Sequence, residues 1–149
     1  VRGFGPGRAS LYGGADYAKH ANDTIVVFAM IETAAALDKL DDILSVEGLD
    51  AIYIGPSDLS LSLGCRPVLD DVDPKAQQAI EHVLARAKAH GVVAGIHNGS
   101  TQQALARVAM GFQFVTISSD ARLIAAGAQE VLATMRAERR PGPAAGSPY

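Results

Sequence analysis

Between Thr24 and Ser60 the chain runs twice through an apolar, strand-like stretch that stops at a carboxylate, with a helical pattern in between. The first run, Ile25-Val26-Val27-Phe28-Ala29-Met30-Ile31, ends at Glu32-Thr33. The second, Ala51-Ile52-Tyr53-Ile54, passes through Gly55-Pro56 into Ser57-Asp58-Leu59-Ser60. Neither run alternates polar with apolar residues, which predicts strands buried on both faces of a parallel sheet covered by helices. Between them, Ala36, Leu37, Leu40, Ile43 and Leu44 share one stripe of a helix over 34–44, while Lys39, Asp41 and Asp42 fall off it. Strand, helix and strand in about 30 residues make one right-handed βαβ unit.

In a parallel sheet, neighbouring strands end on one rim about 4.8 Å apart, so Glu32 and Asp58 open into one space. Two carboxylates there repel each other unless a proton or a cation intervenes. A hard divalent ion such as Mg²⁺, held by one or two carboxylates with substrate oxygens and water, resolves the conflict. The pair is therefore a candidate metal site. A plain helix N-cap is the competing reading of Asp58, because Pro56-Ser57-Asp58 opens a short helix over 59–63. The free N–H groups of that helix start also suit a carboxylate ligand.

The alternation continues. Asp73-Pro74 opens a helix to His90, closed by Gly91. Residues 92–96 read as a third buried strand, with His97-Asn98-Gly99-Ser100 on the same rim. A helix over 101–110 stops at Gly111, a fourth strand over 112–117 leads to Ser118-Ser119-Asp120, and a last helix covers 121–136. Ahead of these, Arg2 to Ala9 is too rich in glycine for regular structure, its two arginines open to an anionic ligand or to solvent. Asp16 to Asn22 holds a helical turn. From Arg139 the Pro, Gly and Ala composition predicts a disordered tail, so the chain divides into a folded portion over 1–137 and a tail over 138–149. Four strands alternating with four main helices fit half of a TIM (β/α)8-type barrel, about 250 residues when whole. The rival, an open doubly wound sheet, is usually marked by a Gly-rich nucleotide fingerprint, and the sequence carries none.

With 149 residues, 48% of them hydrophobic, the chain supplies a core for one domain at most. The net charge of −3 and pI near 5.7 give no basic footprint for nucleic acid, and no apolar run reaches the length of a membrane span. There is no signal peptide, and the opening at Val1 reads as a truncation. The single Cys65 fits a reducing, cytoplasmic setting and reads as an ordinary loop thiol. Lys19, Lys39, Lys75 and Lys88 fall in a loop or on helices. A Schiff-base enzyme presents its lysine in a desolvated pocket, so this half of a barrel favours metal over imine.

Six segments carry a resemblance: Arg2-Gly3-Phe4-Gly5-Pro6, Met30-Ile31-Glu32-Thr33, Val46-Glu47-Gly48-Leu49-Asp50, Ile54-Gly55-Pro56-Ser57-Asp58-Leu59-Ser60, His97-Asn98-Gly99 and Ser118-Ser119-Asp120. Together, to about residue 136, they resemble the HpcH/HpaI aldolase family of the pyruvate and phosphoenolpyruvate barrels. That resemblance implies a class II, divalent-metal-dependent aldolase that cleaves a 4-hydroxy-2-oxo acid or a 2-keto-3-deoxy sugar acid to pyruvate and an aldehyde. It implies Glu32 and Asp58 as ligands of Mg²⁺, Mn²⁺ or Co²⁺, and Gly55, Ser57 and Asp58 as the keto-acid-binding residues. The alternatives are a citryl-CoA or malyl-CoA lyase-like enzyme on the same scaffold, or a catalytically inactive keto-acid-binding fragment. Met30 stands where some members carry a substrate-touching glutamine and is left off the substrate list. The family's histidine base, its acidic partner and its enolate-stabilising arginine belong to the first half of the barrel, upstream of this chain. His20, His82 and His90 read as surface residues; His97 is on the correct rim to line the site but is not assigned as the base. The implied partners are a small keto acid and further copies of the chain, a hexamer by resemblance. The resemblance also implies that the last helix, which carries Leu123, Ile124, Val131, Leu132 and Met135, is exchanged between copies. No nucleic acid or membrane partner is implied.

Overall fold

The structure is a computed structural model that describes Gly5 and residues 7–138. The Arg2-Gly3-Phe4 and Pro6 part of the first motif and the tail from Arg139 lie outside the described residues. Two helices, α1 (Gly7–Gly13) and α2 (Tyr17–Thr24), precede the sheet. Then follow β1 (Phe28–Ile31), α3 (Ala34–Asp38), α4 (Leu40–Leu44), β2 (Ala51–Ile54), α5 (Pro56–Ser62), α6 (Pro74–His90), β3 (Val93–Asn98), α7 (Thr101–Met110), β4 (Phe114–Ile117) and α8 (Asp120–Glu138). The four strands form one sheet in the order β1-β2-β3-β4, parallel throughout. This is the βα alternation expected of half a barrel.

Several local expectations are corrected. The Gly-rich start folds into α1 from Gly7, because Arg8 to Tyr12 contains no helix breaker and the glycines fall at its two ends. The helix over 34–44 is broken at Lys39, whose φ of −112° and ψ of 17° leave the helical region. The strand β3 runs on through His97 and Asn98, each paired into β4. Helices α6 and α7 stop where expected, at Gly91 and Gly111 with φ of 69° and 108°, conformations that glycine adopts without strain.

The convex face of the sheet holds the core. Ile31, Ile52, Ile54, Ala94 and Ile96 are buried against Leu40, Leu44, Leu59, Ile80, Val83, Leu84 and Ala87, each large side chain contributing about 1.5–3 kcal/mol. Arg107 is buried with them, between α6 and α7. It donates to Gln77 Oε1 at 2.8 Å and, with the Gln103 amide turned to satisfy its neighbours, to Gln103 at 3.0 and 3.2 Å. Burial draws its pKa below the usual arginine value, while the charges of Asp70 and Glu81 oppose that shift.

The concave face departs from the expectation of strands buried on both sides. Phe28 and Met30 remain 39% and 49% exposed. With Tyr53 and Phe114 they line an apolar hollow of about 200 Å³. In a flat sheet, β1 and β4 would stand roughly 14 Å apart. Here the Phe28 and Phe114 rings approach to 5.2 Å, with Tyr53 5.9 Å from Phe114, so the sheet curls. Gly95 permits this: a Cβ there would lie 2.9 Å from Tyr53 Cδ2 and 3.1 Å from Phe114 Cδ1.

Candidate active site

Glu32 and Gly55 are the first residues past the paired ends of β1 and β2, where Ile31 faces Ile54. Glu32 is half-buried, and its carboxylate folds over the glycine. A Cβ on Gly55 would lie 3.1 Å from Glu32 Oε2 and 3.5 Å from both Glu32 Cβ and the Met30 terminal methyl. Gly55 is the N-cap of α5, with φ of −96° and ψ of 93°, and Pro56 occupies the first turn, where its missing N–H costs nothing. Ser57 is half-buried and Asp58 exposed in that same turn. Their backbone N–H groups belong to the helix start that has no intrahelical acceptor.

The two rim loops are tied together below this point. Thr33 Oγ1 caps α3 by accepting from Ala36 N at 3.1 Å, and Ser62 Oγ, at the end of α5, accepts from Ala34 N at 2.9 Å. The loop holding Glu32 and the helix holding Asp58 are thus positioned by each other.

Among the described residues neither Glu32 nor Asp58 pairs with a Lys, Arg or His. Nor do three or more His, Cys, Asp or Glu side chains gather around one point. Glu32 and Asp58 are therefore two hard carboxylates on one rim, each without a counter-cation among the described residues. That chemistry fits an Mg²⁺-like ion, which keeps waters and ligand oxygens in its remaining positions, and not a zinc centre built on nitrogen and sulfur.

A cleft of about 470 Å³ extends along the rim from Ser57 to Arg122, with Leu69, Asp70, Gly99 and Ser100 in its wall. Its shape is fixed locally: Asp70 Oδ1 accepts from Gly99 N at 2.9 Å, and Ser100 Oγ caps α7 by accepting from Gln103 N at 3.2 Å. On the concave floor, Tyr53 and Thr116 hydrogen-bond His97. Neither Tyr53 nor Thr116 stands out in the sequence as a site residue. The available signal was positional, since Tyr53 lies two residues before Gly55 and Thr116 is the one hydroxyl inside β4. The other histidines are peripheral: His20 sits between Asp16 and Asp23 at the surface, His82 is exposed, and His90 lies 3.3 Å from Asp41. Lys19, Lys75 and Lys88 ride on helices and Lys39 on the break between α3 and α4, all away from strand ends. Cys65 is a half-buried free thiol.

A curled parallel βα sheet with Glu32 and Asp58 just past the C-terminal ends of two neighbouring strands is half of a TIM-type barrel. The HpcH/HpaI aldolase/citrate lyase family model matches residues 3–127, and the chain belongs to that family. It is 45% identical over 137 residues to a hydroxypyruvate/pyruvate aldolase of Rhizorhabdus wittichii, covering 92% of this chain and 55% of the relative. It is 35% identical over 130 residues to a 5-keto-4-deoxy-D-glucarate aldolase of Salmonella arizonae, covering 87% and 50%. Among solved structures, an HpcH/HpaI aldolase/citrate lyase family protein from Burkholderia cenocepacia superposes with a TM-score of 0.75 at 30% identity, covering 91% of this chain and 53% of that one. An HpcH/HpaI aldolase from Desulfitobacterium hafniense gives 0.73 at 27% identity, covering 98% and 56%. The chain thus spans about half the length of the relatives it matches.

Proposed function

We propose that this chain supplies the metal- and keto-acid-binding rim of a divalent-metal-dependent aldolase. The reaction is retro-aldol cleavage of a 4-hydroxy-2-oxo acid or a 2-keto-3-deoxy sugar acid to pyruvate and an aldehyde. The observation that carries this reading is the Glu32 carboxylate lying on Gly55, at the mouth of the helix that bears Asp58. Membership of the family and the aldolase names of relatives at 35–45% identity support it. Those names also favour an aldolase over a citryl-CoA or malyl-CoA lyase.

Glu32 and Asp58 would hold Mg²⁺, Mn²⁺ or Co²⁺, which when bound supplies Lewis-acid polarisation of the keto group. Ser57 Oγ and the Asp58 N–H would receive the substrate carboxylate, which would fix orientation before any bond breaks. Gly55, which makes room for the Glu32 carboxylate, would border the keto acid beside it. The cleft running from Ser57 has the volume for the part of the substrate beyond C4. The same reading takes the protein to be a cytoplasmic homo-oligomer. In α8, Leu123, Ile124, Val131, Leu132 and Met135 are each 50–72% exposed, and among the described residues both edge strands of the sheet are unpaired. Sedimentation as a monodisperse monomer would refute that part. No helix among the described residues is long and apolar enough to cross a membrane.

The test follows pyruvate release by the full-length protein, with the other half of the barrel present, from a panel of 4-hydroxy-2-oxo acids with Mg²⁺ or Mn²⁺, then with chelator. Turnover is expected to stop with chelator, and to fall at least about 100-fold in Glu32→Gln and in Asp58→Asn, the scale for losing an electrostatic catalytic contact. Turnover that survives chelator and is trapped by borohydride would mean an imine enzyme and would overturn the reading.

A further inference from the structure

The concave floor holds a polar cluster to which the proposed reaction has so far assigned no work. Tyr53, His97 and Thr116 come from three adjacent strands and meet in a triangle. Tyr53 Oη lies 3.0 Å and Thr116 Oγ1 2.8 Å from His97 Nδ1, and the two hydroxyls hydrogen-bond each other. All three side chains are half-buried, and the Tyr53 ring meets the imidazole edge-on at 6.4 Å. Such a cluster is costly among the aromatic rings of this floor unless its polar atoms are satisfied.

Register places the cluster relative to the carboxylates. Ile31 faces Ile54, and Ile54 faces Ile96. One residue further on, Glu32, Gly55 and His97 form the next layer, with Thr116 beside His97. His97 therefore stands level with Glu32 and on the same face of the sheet, two strands away, or roughly 10 Å between backbones. A small molecule held at Glu32 and Asp58 and reaching across the barrel mouth meets His97.

The triangle also selects the imidazole tautomer. With a lone pair on Nδ1, both hydroxyl protons find acceptors inside the cluster and the ring proton sits on Nε2. With the proton on Nδ1, one hydroxyl has no acceptor there. Among the described residues Nε2 has no hydrogen-bond partner. The floor thus holds an anchored imidazole in the layer of Glu32, its Nδ1 engaged by two hydroxyls and its Nε2 without a partner among the described residues.

We propose that His97 is the substrate-orienting residue for the aldehyde half. Its Nε2–H donates to the C4 hydroxyl oxygen of the 4-hydroxy-2-oxo acid, the oxygen that becomes the aldehyde carbonyl. Glu32, Ser57 and Asp58 hold the pyruvate half. His97 neither gains nor loses a proton in this role, and Tyr53 and Thr116 are positioning residues that keep its Nδ1 an acceptor. The inference rests on the aldolase reading.

The two halves of the reaction are separable by experiment. Exchange of the pyruvate C3 protons with deuterated water needs only the pyruvate half, whereas cleavage needs both. In His97→Leu the ratio of cleavage kcat/KM to exchange rate is expected to fall about tenfold, the scale of one neutral hydrogen bond. His97→Gln, which keeps a side-chain N–H, recovers part of that ratio, and Tyr53→Phe with Thr116→Val lowers it. A merely structural role would leave the ratio unmoved while both rates fall together, and that result, or an unchanged cleavage rate, overturns the proposal. If the unmodified full-length protein with Mg²⁺ or Mn²⁺ neither exchanges pyruvate nor cleaves any substrate of the panel, the aldolase reading itself fails. That failure is distinguishable from one specific to the His97 variants.

Discussion

Replacing Gly55 by alanine tests the rim more cleanly than removing either carboxylate, because it moves one of them without deleting it. The backbone at Gly55 has φ of −96° and ψ of 93°, a region open to alanine, so no conformational penalty is expected. Fewer unfolded conformations would add about 0.4–1 kcal/mol of stability, which the new contacts offset, leaving the fold near its original stability. The cost falls on Glu32. The added methyl would sit 3.1 Å from Oε2, so the carboxylate must retreat by a few tenths of an ångström. Metal–ligand distances are held to within about 0.2 Å, and a displaced ligand loosens the ion. The expected outcome is a roughly tenfold loss of Mn²⁺ affinity, or about 1.4 kcal/mol, with the thermal midpoint little changed. Calorimetric titration with Mn²⁺ and a thermal melt of the same sample read the two quantities. Gly127→Ala serves as the control: a Cβ there meets nothing within 4 Å, and it should leave Mn²⁺ binding untouched while favouring α8. An alanine at position 55 that folds normally and binds Mn²⁺ within twofold of the parent would show that Glu32 is no ligand.

Arg107→Ala should cost about 2–4 kcal/mol in denaturant unfolding, since it opens a cavity and strands the Gln77 and Gln103 amides. Arg107→Met, which fills the space without a buried charge, should cost under about half of that. Gly95→Ala should destabilise by about 1–3 kcal/mol, because its methyl collides with Tyr53, Phe114 and the Ile52 carbonyl; near-UV circular dichroism should report the displaced rings. The Arg86 guanidinium, donating to Asp41 Oδ1 at 2.8 Å, lowers the Asp41 pKa below its ordinary 3.8. A depressed carboxylate pKa stabilises above the unfolded value and stops stabilising as pH falls through the folded one. Any stability difference between the parent and Asp41→Asn should therefore be present near neutrality and vanish in acid, as read by pH-dependent urea melts.

The strands and the rim were legible because their signals are local. An apolar run that stops at Glu32 needs no knowledge of the rest of the chain, and Gly91 and Gly111 mark their helix ends by conformation alone. What failed was what depends on partners. Phe28 and Met30 look identical to core residues in sequence, yet they face the concave side, which these four strands leave open. The break at Lys39 disrupts a stripe that composition reads as continuous. The His97 cluster joins residues 44 and 63 positions apart, and only the register of three strands brings them to one layer. Of the candidate site, Glu32, Gly55, Ser57 and Asp58 were visible as residues. That the Glu32 carboxylate rests directly on Gly55 was not.

The contact between Phe28 and Phe114 makes the sheet behave as an arch. Two rings at opposite ends of four strands act as the tie that keeps its feet from spreading, and Gly95 is the notch that lets the span bend. Load applied at the feet is felt at the crown: widening the floor must also separate Glu32 from the strand ends facing it. Evolution of a new ligand preference therefore need not touch the rim at all, because trading ring size at Phe28 or Phe114 resets the aperture above them.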